Sequence, residues 1–315
     1  MARYFAGIDL GGTFVKCGIV DEDGNIIVCD KIPTCLDYEK SYKDMAELAM
    51  GLAKKANVSL SGIGIGSPGA IDSKRGIILF SGNLNWTEKP LAKDIEKITG
   101  VKTFLTNDAN AAALGEYAYG AGKKFNSIVM VTLGTGVGGG IVFDGKLFEG
   151  NKGLGAELGH IITKPNGEQC TCGNKGCFET YASATALVKQ ARKQMLLDKE
   201  SMLWELCEND LDKMNGYLFF KAVRANDKSA IKVLKKYVTY LASGIVSMAN
   251  LLRPEAILIG GGISAAGDLI TKPLQRKLNK QLFGGTKHAP VKIMTAALQN
   301  DAGTIGASRY AMDNI

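Results

Sequence analysis

Asp9-Leu10-Gly11-Gly12-Thr13, set in the run YFAGIDLGGTFVKCGIV (residues 4–20), decides how the rest of the chain is read. A short apolar run ends in two glycines, and a second β-rich run leads away to a turn at Asp23-Gly24. Without side chains at 11 and 12, several backbone N–H groups are free to converge on an anion, and the Thr13 hydroxyl adds a donor. Asp9 stands too close to a bound phosphate to be its ligand, because the charges repel. It suits Mg²⁺, which favours one or two carboxylates together with phosphate oxygens. Lys16, on the returning strand, is within reach of a phosphate. The plain alternative is a tight hairpin with no ligand.

A second copy tips the balance. Leu133-Gly134-Thr135-Gly136 runs on to Gly140-Ile141-Val142 and Asp144-Gly145, as Leu10-Gly11-Gly12-Thr13 runs on to Gly18-Ile19-Val20 and Asp23-Gly24. The repeat predicts two related lobes that open with the same hairpin. It offers a second phosphate cradle, this time without a carboxylate. Neither turn fits G-x-x-x-x-G-K-[ST], and residues 134–139 carry Rossmann letters but precede a strand-like run.

The remaining pattern is α/β. Apolar spacing predicts a helix over 38–56 (Met45, Leu48, Leu52) and another over 227–252, stopped by Arg253-Pro254. Strands are expected at 61–66, up to Thr106, and at 256–259 ahead of Gly260-Gly261-Gly262. A last helix covers 302–312, and hinges are expected near 115–125 and 298–303.

Composition excludes several classes. With 315 residues the chain has room for two domains. The net charge of +7 comes from Lys and Arg in runs no longer than a pair, which reads as a solvated surface and not a nucleic-acid partner. There is no signal-peptide start and no stretch of about 18 apolar residues, so no membrane partner is expected. Of seven cysteines, Cys17, Cys29, Cys35 and Cys207 are scattered singly, which fits a reducing cytoplasm. His288 reads as a surface residue, and Trp86 and Trp204 as packing residues.

Two segments carry further chemistry. Asn107-Asp108-Ala109-Asn110 opens the helix AAALGE, so Asp108 is either an N-cap or a general base. An alcohol is a poor nucleophile, and a carboxylate within hydrogen-bond reach can take its proton during phosphoryl transfer. Asn107 would hold the same acceptor through its amide. Cys170, Cys172 and Cys177 lie within eight residues, and His160 lies ten residues upstream of the first. Cys₃His is a common closed zinc set, which makes the metal structural. If one imidazole nitrogen binds Zn²⁺, the other is free to donate to a substrate hydroxyl.

In this order, DLGGT, LGTGVGGG and LIGGGIS resemble the actin–hexokinase superfamily of phosphotransferases. NDAN with AALGE, and E-x-x-H followed by C-x-C-G-x-x-G-C-x-E, are similar to the repressor–ORF–kinase (ROK) family. The likeness runs from Asp9 to Asp301-Ala302-Gly303. It implies a two-lobed actin/hexokinase-like fold, each lobe a mixed sheet flanked by helices, with a ligand cleft between them. The division it implies is residues 1–118 plus about 300–315 against 119–299.

The resemblance also implies ATP-dependent phosphorylation of a hexose, with Asp108 as base and Mg²⁺ accompanying the nucleotide. Asn107, Glu157, His160 and Glu179 would contact sugar hydroxyls, and His160, Cys170, Cys172 and Cys177 would bind Zn²⁺. Asp9, Gly11, Gly12, Thr13, Lys16, Gly134, Thr135 and Gly136 would hold phosphates, and Gly261 and Gly262 would meet adenosine. Gly69 (in Gly66-Ser67-Pro68-Gly69) and Asn83 either line the sugar pocket or shape their own turns. The motif set looks most like members that act on the 6-hydroxyl of glucose, with N-acetylmannosamine, allose and fructose as alternatives. Polyphosphate is an alternative donor, and a homodimer or dimer of dimers is expected. Regulators of the family carry a DNA-binding winged helix before the first turn. Asp9 lies too near the start for one, so a regulator lacking that domain is the remote alternative. A chaperone-like or filament ATPase has no use for the zinc cluster.

Overall fold

The structure, a computed structural model, describes residues 2–315. The first half runs β1 (Tyr4–Leu10), β2 (Phe14–Asp21), β3 (Ile26–Pro33), α1 (Tyr38–Ala56), β4 (Leu60–Ser67), a small sheet of β5 (Ala70–Asp72), β6 (Ile77–Ser81) and β7 (Trp86–Lys89), α2 (Leu91–Thr99), β8 (Thr103–Asn107) and α3 (Asp108–Ala118). The second runs β9 (Ser127–Leu133), β10 (Val137–Phe143), β11 (Lys146–Leu147), α4 (Glu179–Ala182), α5 (Ala184–Leu197), α6 (Met202–Leu206), α7 (Gly216–Arg224), α8 (Lys228–Leu252), β12 (Ala256–Gly260), α9 (Asp268–Gln281), β13 (Lys292–Thr295) and α10 (Ala302–Asn314).

The repeat in the sequence is a repeat of topology. One sheet has the order β3-β2-β1-β4-β8 and the other β11-β10-β9-β12-β13. Third, second, first, fourth, fifth strand is the order in both. Each opens with antiparallel hairpins; the turn at Asp144-Gly145 has both residues at positive φ, as a two-residue hairpin demands. The helix predicted at 38–56 is α1. Asp227 is the N-cap of α8, accepting from Ala230 N–H at 2.7 Å, and Arg253 closes that helix in the left-handed region.

The first sheet has two unlike faces. Alternation along β4 sends Ile63 and Ile65 to one side, where with Ile8, Leu10 and Leu105 they meet Met45 and Leu52 of α1. The other side carries Gly62, Gly64 and Gly66. A Cβ on Gly64 would lie 1.8 Å from Ala307 O of α10, and one on Gly66 would lie 3.4 Å from the Cα of Asp108. These bare positions let α10 and the start of α3 rest directly on the sheet.

The chain forms two compact units. The first runs to Met130 and takes up Gly139–Ala156 and Ala296–Ile315; the second is Val131–Gly138 with Glu157–Thr295. The sequence division at 118 and about 300 leaves residues 119–130 and 139–156 on the other side. Local packing explains the difference. A Cβ on Gly140 would lie 2.4 Å from Ala113 Cβ, one on Gly153 would lie 2.3 Å from Ile71 O, and Thr106 Oγ1 donates to Glu149 at 2.9 Å. Among the described residues no helix is long and apolar enough to cross a membrane.

Candidate active site

In the first unit, β1, β4 and β8 run parallel and end in one row. Asp9 pairs with Gly66, Gly66 with Thr106, and Ser67 with Asn107. The carboxyl ends of parallel strands are where α/β folds gather ligands. Thr34 holds the glycine turn from behind, donating its N–H to Thr13 O at 2.9 Å and its hydroxyl to Gly11 O at 2.7 Å. Gly12 is exposed, and a Cβ there would meet nothing within 4 Å. The fold itself would accept a side chain at that position, so the bare backbone suits close approach of a ligand.

Asp9 rests against the start of α10: a Cβ on Gly303 would lie 2.6 Å from its Oδ2. Burial pushes its carboxyl up to about 6, the charge of Asp108 adds to the rise, and Lys16 opposes it. Lys16 is paired with Asp301 and donates to Asn300 O at 3.1 Å. Two of its three donors are thus already engaged.

The two readings of Asp108 separate here. Asn107 is the N-cap of α3: its Oδ1 accepts from Ala109 N–H at 2.9 Å and Asn110 N–H at 3.3 Å. Asp108 is the first residue inside the helix, and its Oδ1 accepts from Ala109 N–H at 2.8 Å, a donor it shares with Asn107. Burial raises its pKa, against hydrogen bonds from Ala109, its own N–H and the Asn107 side chain. Capping therefore does not account for this carboxylate.

Asn107 also donates Nδ2 to Gly69 O at 3.3 Å. Gly69 has φ +110, and a Cβ there would lie 2.3 Å from Phe80 O, so its own turn requires glycine. Asn83 is exposed, on a loop anchored by buried Leu84 and Trp86; Trp86 Nε1 donates to Leu36 O at 2.8 Å. Trp86 is a packing residue, as read from the sequence, and His288 is exposed in a loop.

Two glutamates escaped the sequence reading. Glu149 accepts from Thr106, one residue before Asn107, and from the Tyr310 hydroxyl at 3.3 Å. Glu116, fully buried, accepts from Ala121, Ala297 and Leu298 N–H groups at 2.8, 3.0 and 2.6 Å. It ties together the two segments expected to be hinges. Apart from Ala121, their donors lie far away in sequence, so no local pattern marks either residue; only the charge of Glu116 inside an alanine-rich helix hints at a buried partner.

In the second unit, Gly134, Thr135 and Gly136 follow β9. Gly134 N–H donates to Gly136 O at 3.0 Å, and a Cβ on Gly134 would meet nothing within 4 Å. The third glycine turn abuts the second: a Cβ on Gly261 (φ +75) would lie 2.6 Å from Leu133 O, while Gly262 is open. Beside Gly262 is a cleft of ≈ 450 Å³ lined by Tyr217, Phe220, Arg224, Ile263 and Ala266. Its apolar and aromatic walls and one guanidinium suit a flat heteroaromatic group. The aromatic run at the start of α7 was the available signal for it.

His160, Cys170, Cys172 and Cys177 offer ligand atoms that all lie within 4.8 Å of one another. Cys172 and Cys177 sulfurs are 3.6 Å apart, and Cys170 Sγ is 3.8 Å from His160 Nδ1. Tetrahedral zinc with bonds of about 2.0–2.3 Å sets its ligand atoms roughly 3.4–3.8 Å apart. The donor set therefore fits Zn²⁺, with Nδ1 facing the sulfurs and Nε2 left over. Glu157 is exposed, and its carbonyl accepts from His160 N–H at 3.0 Å. Glu179 begins α4, two residues after Cys177.

Comparison with known proteins agrees with this geometry. The ROK family model matches residues 5–314. The chain is 38% identical to the glucokinase of Thermotoga maritima over 315 residues, covering 98% of this chain and 97% of that protein. It is 35% identical to the glucokinase of Streptomyces coelicolor over 309 residues, covering 98% and 97%. A ROK family glucokinase from Streptomyces griseus, solved with glucose and AMPPNP, superposes with a TM-score of 0.86 at 34% identity, covering 98% and 99% of the two chains. The two-lobed fold class read from the motifs is the fold of these relatives. Matched end to end by the family model and by full-length relatives, the chain belongs to the ROK family.

Proposed function

We propose that this chain is a glucokinase: it transfers the γ-phosphoryl group of ATP to the 6-hydroxyl of glucose. One observation carries the mechanism. Asn107 caps α3, which leaves the Asp108 carboxylate, with its raised pKa, in the same row of strand ends as Asp9. As the sugar oxygen forms its bond to phosphorus, Asp108 takes the hydroxyl proton. A raised pKa makes the carboxylate a better acceptor. The glycine turns orient the phosphates with backbone N–H groups, and Gly261 and Gly262 border the adenosine cleft. Asp9 is the residue to hold Mg²⁺, which when bound supplies charge neutralisation at the phosphates.

Asn83, Asn107, Glu157, His160, Glu179 and the backbone at Gly69 are the sugar contacts in this reading. His160, Cys170, Cys172 and Cys177 would hold Zn²⁺ in a closed, structural set. Full-length glucokinase relatives and the glucose-bound Streptomyces griseus structure support glucose over other hexoses. Free thiols support a cytoplasmic setting. The same reading includes a homodimer or dimer of dimers, checked by light scattering. The decisive experiment couples ADP release to NADH oxidation across glucose, mannose, fructose, allose and N-acetylmannosamine. Glucose is expected to give the highest kcat/KM; a better amino-sugar substrate would overturn the choice of sugar.

A further inference from the structure

One short segment grips the second glycine turn at three points. Ala184 N–H donates to Gly134 O at 2.8 Å, and Thr185 Oγ1 donates to Thr135 O at 2.8 Å. Val137 N–H donates to Glu179 Oε2 at 2.9 Å. The same carboxylate fills the space a side chain at 136 would need, because a Cβ on Gly136 would lie 2.3 Å from Oε2. Its other oxygen lies 3.8 Å from Cys170 Sγ. On the opposite side, a Cβ on Gly159 would lie 2.2 Å from Val137 O, so the residue before His160 is packed on the same stretch of backbone. His160, Cys170 and Cys177 thus each adjoin a group that holds residues 134–137.

We propose that the Cys₃His centre governs nucleotide binding, with Glu179 as the positioning residue that carries the effect from the metal-held loop to the second glycine turn. The proposal rests on the reading of that turn as a phosphate cradle. Held by Glu179, Thr185 and Ala184, the turn keeps its N–H groups convergent. With the metal gone, four side chains lose their common partner and the segment that follows Cys177 loses its anchor. Coupling is reciprocal, so bound ATP retains the metal by the same factor. The charge of Glu179 works against a polyanion. Truncating it therefore separates two effects by sign: loss of the strut weakens ATP binding, whereas loss of charge alone strengthens it.

The test is calorimetric titration with Mg·ATP of the full chain in four forms: zinc-loaded, chelator-stripped, and zinc-loaded Glu179→Ala and Glu179→Gln. Zinc per chain is measured by atomic absorption in each. Expected is about a tenfold weaker Kd in the stripped chain and in the Ala variant, a difference well within reach of one charge-assisted hydrogen bond. The Gln variant keeps an acceptor for Val137 N–H and should stay within about threefold of the parent. At equilibrium, saturating ATP should raise by about tenfold the concentration of competing chromogenic chelator needed to withdraw half of the zinc. A zinc-loaded Ala variant that binds ATP as tightly as the parent, or more tightly, overturns the proposal whether or not the stripped chain keeps its fold. If the zinc-loaded parent binds no ATP, the cradle reading itself fails.

Discussion

The two glycine turns follow the same hairpin in the same strand order, yet they are built to different plans. The first is held through one threonine, Thr34, and the chemistry proposed for it lies in the side chains of Asp9, Lys16 and Asp108. The second has no carboxylate of its own and is clamped through its backbone by residues 179–185. The duplicated topology thus serves two different ends. In the proposed mechanism one copy carries charge and proton chemistry, and the other provides a backbone-held cradle. The division has consequences that differ in size.

The largest falls on the first unit. Asp108→Asn keeps the shape and removes the base, so kcat is expected to fall by at least about a hundredfold. Because Asn107 does the capping and burial disfavours the Asp108 charge, the unfolding temperature at neutral pH should not fall and should rise slightly. A variant with near-parent turnover in the ADP-release assay would sink the base assignment. A variant that is inactive because it unfolds would show that Asp108 belongs to the cap after all.

Next comes a pH signature unique to the first turn. Asp9 titrates in the folded chain near 6, above its ordinary 3.8. The unfolded chain thus gives up this proton first, and the folded state loses stability as pH rises from about 4 to 6. Asp9→Asn should remove that loss. Its unfolding temperature should match the parent's below pH 4 and exceed it above pH 6. If Asp9 holds Mg²⁺ as proposed, Mg·ATP needs its charged form, and affinity should weaken by roughly tenfold per pH unit below 6 in the parent and show no such slope in the variant. Equal slopes in both would detach Asp9 from the nucleotide.

A pair of matched substitutions then contrasts the turns directly. Gly12→Ala adds a methyl group into open space, whereas Gly136→Ala drives one against the Glu179 carboxylate. The first should change unfolding free energy by no more than about 0.5 kcal/mol. The second should cost about 1 kcal/mol, because the Glu179 carboxylate must swing aside and give up its bond from Val137 N–H. Both should raise the KM for ATP. Equal stability losses in chemical denaturation would erase the distinction between an open turn and a clamped one.

Much of this architecture is legible in the chain because it is local. Glycine, threonine and Asp-Gly spacing marks each hairpin, apolar steps of three and four mark α1 and α8, and three cysteines in eight residues mark the Cys₃His cluster. The roles at residues 107 and 108 are less so, since either residue type caps a helix, and only the hydrogen bonds assign the cap to Asn107. The grip of Glu179 on Val137, the burial of Glu116 and the bond from Thr106 to Glu149 join segments far apart in sequence. The glycines of β4 lay in plain view at alternate positions, but their purpose, seating α10 and α3, depends on helices that periodicity alone does not place.

The smallest effect concerns Lys16, which sequence position assigns to a phosphate and which the fold ties to Asp301. Asp301 is half exposed, so the pair should contribute no more than about 1 kcal/mol to stability. Two donors of the ammonium are engaged by Asp301 and Asn300, which leaves one for a ligand. Lys16→Met should therefore raise the KM for ATP by about threefold or less, as loss of one charge already paired elsewhere does. Asp301→Asn frees the same ammonium and should lower that KM slightly. If Lys16→Met instead raises KM by a hundredfold with kcat intact, Lys16 leaves Asp301 for the nucleotide on binding. The first turn would then be a cradle of side-chain cations, and the contrast with the backbone-clamped second turn would be sharper still.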